Sequence, residues 1–345
     1  RHNIWSFVLD NRLIVADRAY SPGWKPEVDS TVSNYSGELG VLGYFIADEP
    51  TPQQYASVAA TSRRLARKDP FRPALAIFMG YPGQGIFYFG GMPYTSYLRH
   101  YLNQAHPSFF AVDSYPLRKG SDSPYYETTW DSVSYVSRIT GTPFWAVLLL
   151  SPYQNLRVPN ASELAWQAFL PLAYGARGIV WFNYWTPAPT DPSHFHDGPI
   201  TYDGHRTSTY GRLADVNARI QLLAQEIGTM QSQGVRHVFS VPYGCRAFRP
   251  TQDLRIESKK PLAVGFFKQA SGAPYALLVN RDYKSVAEVK LFAPDTLVRW
   301  ARAPGLYRDL DAKPSINAIE NDLLLAPGDA ELIRLPSSFD YLKTQ

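Results

Sequence analysis

Short apolar runs recur along the first half of the chain, each stopping at polar, Pro or Gly residues. They occupy 4–9, 41–47, 74–79, 109–112, 144–150 and 178–182. Between them, 51–68, 94–104, 131–140 and 161–173 carry apolar residues near the 3.6-residue spacing that lets a helix bury one face. Continuous apolar strands alternating with such helices describe a parallel sheet covered on both sides. The strands return about every 30–40 residues, the repeat of a βα unit. Helix starts fit this frame. Thr51 or Pro52 can open a helix after Asp48-Glu49-Pro50, and Asn160 followed by Glu163 has the form of a capping box.

Six strands suit a doubly wound sheet as well as part of an eight-stranded barrel, so the number alone does not choose. The placement of polar residues does. Asp10, Asp48-Glu49, Asp113 with Tyr115, Ser151, and Asn183 to Trp185 all lie past the C-terminal ends of strands, where a barrel assembles its site. The expected fold class is therefore α/β: a (β/α)8 TIM-type barrel whose first two strands lie outside this chain. Residues 1–232 form the barrel (strands three to eight), ending in a long helix over 213–230. From about 235 the texture changes to short alternating strands broken by Gly and Pro, at 262–268, 275–280, 287–292, 297–301, 323–325 and 331–335. Residues 233–345 read as a small C-terminal antiparallel β-sandwich. The chain starts at Arg1 with no initiator Met or leader, and an N-terminal segment or partner chain is the expected source of the two further strands.

Composition narrows the function. The net charge of +4 comes from scattered Lys and Arg, so no nucleic-acid partner is expected. No apolar run nears the roughly 20 residues of a bilayer span, so no membrane partner is expected either. Cys245 stands alone, which excludes an internal disulfide and a cysteine-based metal cluster. His194, His196, Asp197 and His205 invite a metal reading, but a Pro-rich loop offers no third positioned ligand. Phosphate loops, dinucleotide fingerprints and nucleophile elbows are missing, so neither cofactor nor metal is expected. The glycines of 80–85 read as a loop after a strand. Aromatic residues are in excess, with 8 Trp, 23 Tyr and 18 Phe. They suit either a large core or stacking on sugar rings.

The sharpest feature is 42–50, Leu-Gly-Tyr-Phe-Ile-Ala-Asp-Glu-Pro. A doubly buried strand stops at two adjacent carboxylates, and Pro50 breaks it. Two acids beside apolar walls raise the pKa of at least one, as a general acid at neutral pH requires. The same residues also suit an acidic helix N-terminus, and the residues alone leave both readings open.

This segment resembles the fourth strand of clan-A glycoside hydrolases, especially family 42-like β-galactosidase relatives, where a Glu is the acid/base. Residues 163–185 resemble the last helix and eighth strand of bacterial barrels of this kind. Residues 196–207 resemble the segment after the eighth strand in a group of them. The likeness covers about 1–230. It implies an O-glycosidase acting on a polysaccharide or oligosaccharide, periplasmic or secreted from a bacterium, with Glu49 as general acid/base. The clan's Glu nucleophile sits at the end of strand seven, but here 143–151 carries no carboxylate.

Three substitutes are open. Asp113 can act as the partner, the favoured choice. Asp48 can orient a 2-acetamido group while Glu49 protonates the leaving oxygen, as in families 20 and 123. In an inverting enzyme, Asp113 or Asp10 can activate water across roughly 6.5–9.5 Å. Asp10, Tyr115, Trp145, Asn183, Tyr184, Trp185 and His196 are the expected substrate contacts, with Gln167 and Trp181 as lesser candidates. The rivals are a barrel that binds glycan without cleaving it and an inactive fragment whose sheet edges stay open.

Overall fold

The computed structural model describes residues 5–14, 23–83, 88–302 and 306–344. Ile4 of the first apolar run, and Gln84 and Gly85 of the glycine loop, lie outside the described residues. The chain forms two compact units: Arg1–Ser114 with Ser132–Val147, and Tyr115–Asp131 with Leu148–Gln345.

The first unit carries β1 (Ser6–Leu9), α1 (Trp24–Tyr35), β2 (Val41–Asp48), a 3-10 turn (Pro52–Gln54), α2 (Tyr55–Lys68), β3 (Ala74–Met79), α3 (Tyr94–Ala105) and β4 (Phe110–Ser114). It also holds most of α4 (Tyr126–Thr140) and of β5 (Phe144–Leu149). Pairing is parallel from β1 to β4. With β6 (Gly178–Phe182) the strands make one six-stranded sheet in the order β1-β2-β3-β4-β5-β6. Strand after strand, with helices between, this is the (β/α)-barrel pattern expected, carried by six strands.

Local packing in this unit follows from the sequence. Tyr44, fully buried on β2, donates its hydroxyl to Asp69 at 2.8 Å. Arg72 then bridges Asp69 (3.3 Å) and the Val41 carbonyl (3.1 Å), which fixes where β2 begins. Phe78 of β3 meets Tyr55, Tyr97 and Tyr101 from α2 and α3, with ring centroids 4.8–6.1 Å apart. Tyr44, Tyr55, Tyr97, Tyr101, Tyr126, Trp130 and Tyr174 are all fully buried, so core packing absorbs much of the aromatic excess. Helix α1 has no counterpart among the predicted elements. It buries only Val28, Thr31 and Val32, too few to leave a periodic signature.

The second unit holds α5 (Ala161–Ala173), β6, α6 (Ser208–Ile227) and ten further strands: β7 (Gln231–Val238), β8 (Arg255–Ser258), β9 (Leu262–Lys268), β10 (Pro274–Asn280), β11 (Ala287–Ala293), β12 (Val298–Trp300), β13 (Tyr307–Asp309), β14 (Asp311–Ser315), β15 (Ala318–Leu325) and β16 (Ala330–Arg334). They make two antiparallel sheets, β13-β12-β16-β10-β9-β7 and β14-β15-β11-β8. Strand β11 shows the rule: Ala287, Val289 and Leu291 point into the core, while Glu288 and Lys290 face water. No helix among the described residues is long and apolar enough to cross a membrane.

Helix α5 opens as its sequence indicates. The Asn160 side chain accepts from the Glu163 amide at 3.0 Å, and Glu163 accepts from the Asn160 amide at 2.8 Å. From Glu163 to Ala173 every residue is buried. The helix lies directly on the β-rich part: a Cβ on Gly265 of β9 would come 2.2 Å from the Ala173 carbonyl, and one on Gly328 would come 2.2 Å from the Ser162 carbonyl. Gly265→Ala is therefore expected to destabilise the fold by roughly 1–3 kcal/mol, the usual cost of overpacking a filled site. Urea unfolding measures it, and an unchanged midpoint would mean that α5 and β9 can separate freely.

Candidate functional site

The carboxylates at the end of β2 owe their placement to an irregular strand. Pairing with β3 slips by one residue between Phe45 and Ala47, so β2 carries an extra residue, Ile46, just before the acids. Such a bulge re-aims the side chains beyond it. Glu49 then takes a left-handed backbone conformation, with φ +41°, while its amide still donates to the Ile77 carbonyl at 2.8 Å. A non-glycine residue held there costs roughly 1–3 kcal/mol and persists only where its surroundings impose it.

Those surroundings are tyrosines. The Tyr88 hydroxyl donates to the Glu49 carbonyl, Tyr97 donates to the Pro50 carbonyl at 2.8 Å, and Tyr94 donates to the Met79 carbonyl at 2.9 Å. Three phenols thus pin the backbone where β2 and β3 end. Phe89 packs against Tyr97 at 4.6 Å and Tyr94 at 5.3 Å behind them. The next element, the 3-10 turn, is capped as expected, its Thr51 amide donating to Gln54 at 2.9 Å.

Asp113 of β4 reaches this point across β3, and its side chain is hydrogen-bonded to that of Glu49. Gly80 makes the approach of β3 to β4 possible, since a Cβ there would come 2.6 Å from the Asp113 carbonyl. Burial drives the Asp113 carboxyl well above the usual range, and the neighbouring Glu49 and Asp48 charges push it further. Burial also raises Glu49; the hydrogen bond from Asp113 opposes that rise and the Asp48 charge adds to it. Asp48 is raised by partial desolvation alone, its side chain still reaching solvent. Among the described residues, no cation forms an ion pair with any of the three. One oxygen of Asp113 is buried without a hydrogen-bond partner among them. The site is a pair of buried carboxyls whose proton affinities are both raised, with an acidic neighbour in Asp48. Burial lifts Tyr88 as well, to about 12, so its phenol stays a donor.

Two of the expected acids are engaged by neighbouring side chains. Contact between Asp113 and Glu49 leaves no room for the roughly 5–9.5 Å that separate the working carboxyls of glycosidases. In that position Asp113 lies closer to Glu49 than a nucleophile or a water-activating base opposite it would stand. Asp10 is spent too. Arg12 grips it with two side-chain hydrogen bonds, at 3.0 and 2.7 Å, and those bonds hold its carboxyl below the usual range.

Trp145 lies at the opposite end of the sheet, stacked on Phe109 at 4.5 Å and edge-on to Phe7 at 6.0 Å, so its ring serves packing. Gln167 is fully buried and donates to the Leu149 carbonyl at 3.3 Å, and Trp181 donates to Asn217 at 2.9 Å. Both belong to the packing of the second unit.

The remaining expected contacts are all in that second unit. Tyr115 lies parallel to Phe182, with centroids 6.0 Å apart, beside Tyr153 and Phe195. The Phe182–Asn183 peptide is cis. The Asn183 carbonyl accepts from the Ser151 hydroxyl at 2.5 Å, while its side-chain oxygen is buried without a partner among the described residues. Tyr184 and Trp185 are exposed. His196 hydrogen-bonds Asp197 at 2.8 Å, a local loop contact. Among the described residues, no group of three His, Cys, Asp or Glu side chains is placed to hold a metal ion.

Sequence reasoning missed Tyr88, Tyr94 and Tyr97. Nothing local marks them, because each hydroxyl finds its carbonyl only when the chain returns past the end of β2 or β3.

No protein-family model matches the sequence, and no curated protein is similar to it in sequence. Solved structures are similar in fold. A GH42 β-galactosidase from G. stearothermophilus superposes with TM-score 0.60 at 8% identity, over 91% of this chain and 82% of that one. The β-galactosidase from Bacillus circulans sp. alkalophilus gives 0.59 at 8% identity, over 92% and 83%. A family 5 glycoside hydrolase from Bacteroides vulgatus gives 0.54 at 13% identity, over 92% and 67%. Against the β-galactosidase from Marinomonas ef1 the chain spans 44% of that protein's length. At these identities the likeness is one of fold, and the fold is that of glycoside hydrolases, family 42 β-galactosidases among them.

A raised carboxyl binds its proton more tightly in the folded chain than in the unfolded one. Its contribution to stability is complete below the ordinary Asp range and is lost as the pH rises toward the raised value. Asp113→Asn removes that loss. The variant is expected to melt above the parent at pH ~8, by about 2 °C or more in a chain this size, with the gain vanishing near pH ~4. Thermal unfolding at both pH values measures this, and a variant that is no more stable at the higher pH would contradict a protonated Asp113.

Proposed function

We propose that the protein is a glycoside hydrolase in which Glu49 is the general acid/base and Asp113 manages its proton. The observation that carries this is the buried Glu49–Asp113 carboxyl pair at the C-terminal end of parallel strands, with no cation to neutralise it among the described residues. A structural acid is normally paired with a base or a helix end, whereas an acid kept protonated by burial is suited to proton donation.

In the proposed reaction the Glu49 proton passes to the glycosidic oxygen as the C1–O bond breaks, and the bonding pair leaves on that oxygen. The Glu49 carboxylate left behind does not stand bare in an apolar setting, because the Asp113 carboxyl donates a hydrogen bond to it. Glu49 then takes a proton from the water that completes hydrolysis. A polysaccharide or oligosaccharide is the proposed substrate, and a periplasmic or secreted bacterial setting the proposed location.

The exposure of Asp48 favours one version of the remaining chemistry. Asp113 is engaged with Glu49, and Asp10 with Arg12, so Asp48 is the acid left open beside Glu49. In that version Asp48 orients the 2-acetamido group of an N-acetylhexosaminide, whose carbonyl oxygen attacks C1 and displaces the leaving group. A second carboxylate nucleophile is then unnecessary.

Glu49→Gln is expected to lower kcat/KM on natural oligosaccharides by roughly 10²–10⁴-fold, the usual worth of a positioned general acid. Aryl glycosides whose leaving groups need no proton should lose far less in the bond-breaking step. Equal turnover by parent and variant would remove Glu49 from the mechanism. Asp113→Asn tests the partnership through pH: an amide is a weaker donor to the Glu49 anion than the carboxyl it replaces, so the alkaline limb of the rate profile should move to higher pH. An unmoved limb would reduce Asp113 to a packing role.

A further inference from the structure

Glu49 keeps a backbone conformation that its own side chain and its neighbour in sequence resist. Its φ is +41°, in the left-handed region that residues with a side chain rarely enter. Pro50 adds to the resistance, because the residue before a proline is pushed toward extended conformations. Left to itself, Glu49 would turn back to negative φ and carry its carboxyl away from Asp113. The chain on either side is held: the Glu49 amide donates to the Ile77 carbonyl at 2.8 Å, and the Pro50 carbonyl accepts from Tyr97 at 2.8 Å. Between those two points lies the Glu49–Pro50 peptide. Proline supplies no N–H, so the Glu49 carbonyl is the one hydrogen-bonding group on it. That carbonyl accepts from the Tyr88 hydroxyl.

Tyr88 differs from the two phenols beside it. Tyr94 and Tyr97 are buried, and their rings pack around Phe89 in the aromatic cluster. Tyr88 is half-buried, its ring edge-on to Phe89 at 5.6 Å and to Tyr97 at 6.4 Å. A phenylalanine there keeps those ring contacts and loses only the hydroxyl. The charges of Glu49, Asp113 and Asp48 all act on the phenol, so it stands close to the acids as well as to the backbone that carries one of them. Burial is the largest cause of the raised Glu49 carboxyl. Whatever fixes the backbone of that residue therefore also sets its proton affinity.

We propose that Tyr88 is a positioning residue: through the Glu49 carbonyl, its hydroxyl holds the acid on the left-handed backbone that keeps its carboxyl beside Asp113 and out of water. The effect on turnover rests on the reading of Glu49 as general acid, but the positioning can be measured without a reaction. Without the hydroxyl the peptide is free to turn, the Glu49 carboxyl reaches water, and its raised proton affinity falls toward the ordinary Glu range. The test is Tyr88→Phe in the full chain, folded by circular dichroism, with the carboxyls of isotope-labelled Glu followed by NMR as pH is varied. Glu49→Gln identifies the Glu49 signal. The Glu49 midpoint is expected to fall by about one pH unit or more. On substrate, kcat should drop by about tenfold or more with KM nearly unchanged. The alkaline limb of the rate profile should move to lower pH, opposite to its movement in Asp113→Asn. A role in packing alone would lower the melting temperature and leave the Glu49 midpoint where it was. An unmoved midpoint in the folded variant therefore overturns the proposal. A midpoint that moves in a chain whose parent hydrolyses nothing would defeat the acid mechanism and leave the positioning standing. Hydrolysis that needs Glu49, with a midpoint indifferent to Tyr88, would defeat the positioning alone.

Discussion

A carboxyl group taken out of water without a cation must keep its proton or be removed from the fold. Much of the architecture around Glu49 follows from that constraint. The extra residue in β2 turns the acids toward the strand end, and Glu49 accepts a left-handed backbone to stay there. Three tyrosine hydroxyls satisfy carbonyls left over where β2 and β3 end. Gly80 removes the one side-chain atom that would hold β3 away from Asp113. Each device has a cost in strain or conformational freedom, and they converge on a pair of acids that share a hydrogen bond.

The overall design was legible because doubly buried parallel strands have little choice of residue. Runs such as 144–150 are apolar throughout, and they stop where the chain meets the polar end of the sheet. The placement of Asp48 and Glu49 was legible for the same reason: an apolar run that ends in two acids marks the end of the strand. The elements without a sequence signature lack such pressure. Strand β14 is an exposed edge of the sequence Asp-Ala-Lys-Pro-Ser, and β7 begins with Gln-Ser-Gln and takes its pairing from β9.

The site was only half legible, because sequence shows which acids end strands and not which of them touch. Asp113 and Glu49 are 64 positions apart and separated by a strand, so their contact depends on how the sheet turns across β3. Asp10 is the opposite case. Its partner is two residues away, and a guanidinium so near an acid was readable as an ion pair. The end of β5 carries no carboxylate, and Ser151 just beyond it hydrogen-bonds the Asn183 carbonyl.

Helix α5 sets a limit on how this chain can be rearranged over evolutionary time. One of its ends rests on Gly265 and the other on Gly328, with carbonyls so close that neither glycine can gain a methyl group without displacement. A recombination event that exchanged everything after residue 230 would have to bring replacements matching both points of contact, or strip a helix buried from Glu163 to Ala173 of its cover. The β-rich segment and α5 therefore form one packing unit, and a change to one must be matched in the other.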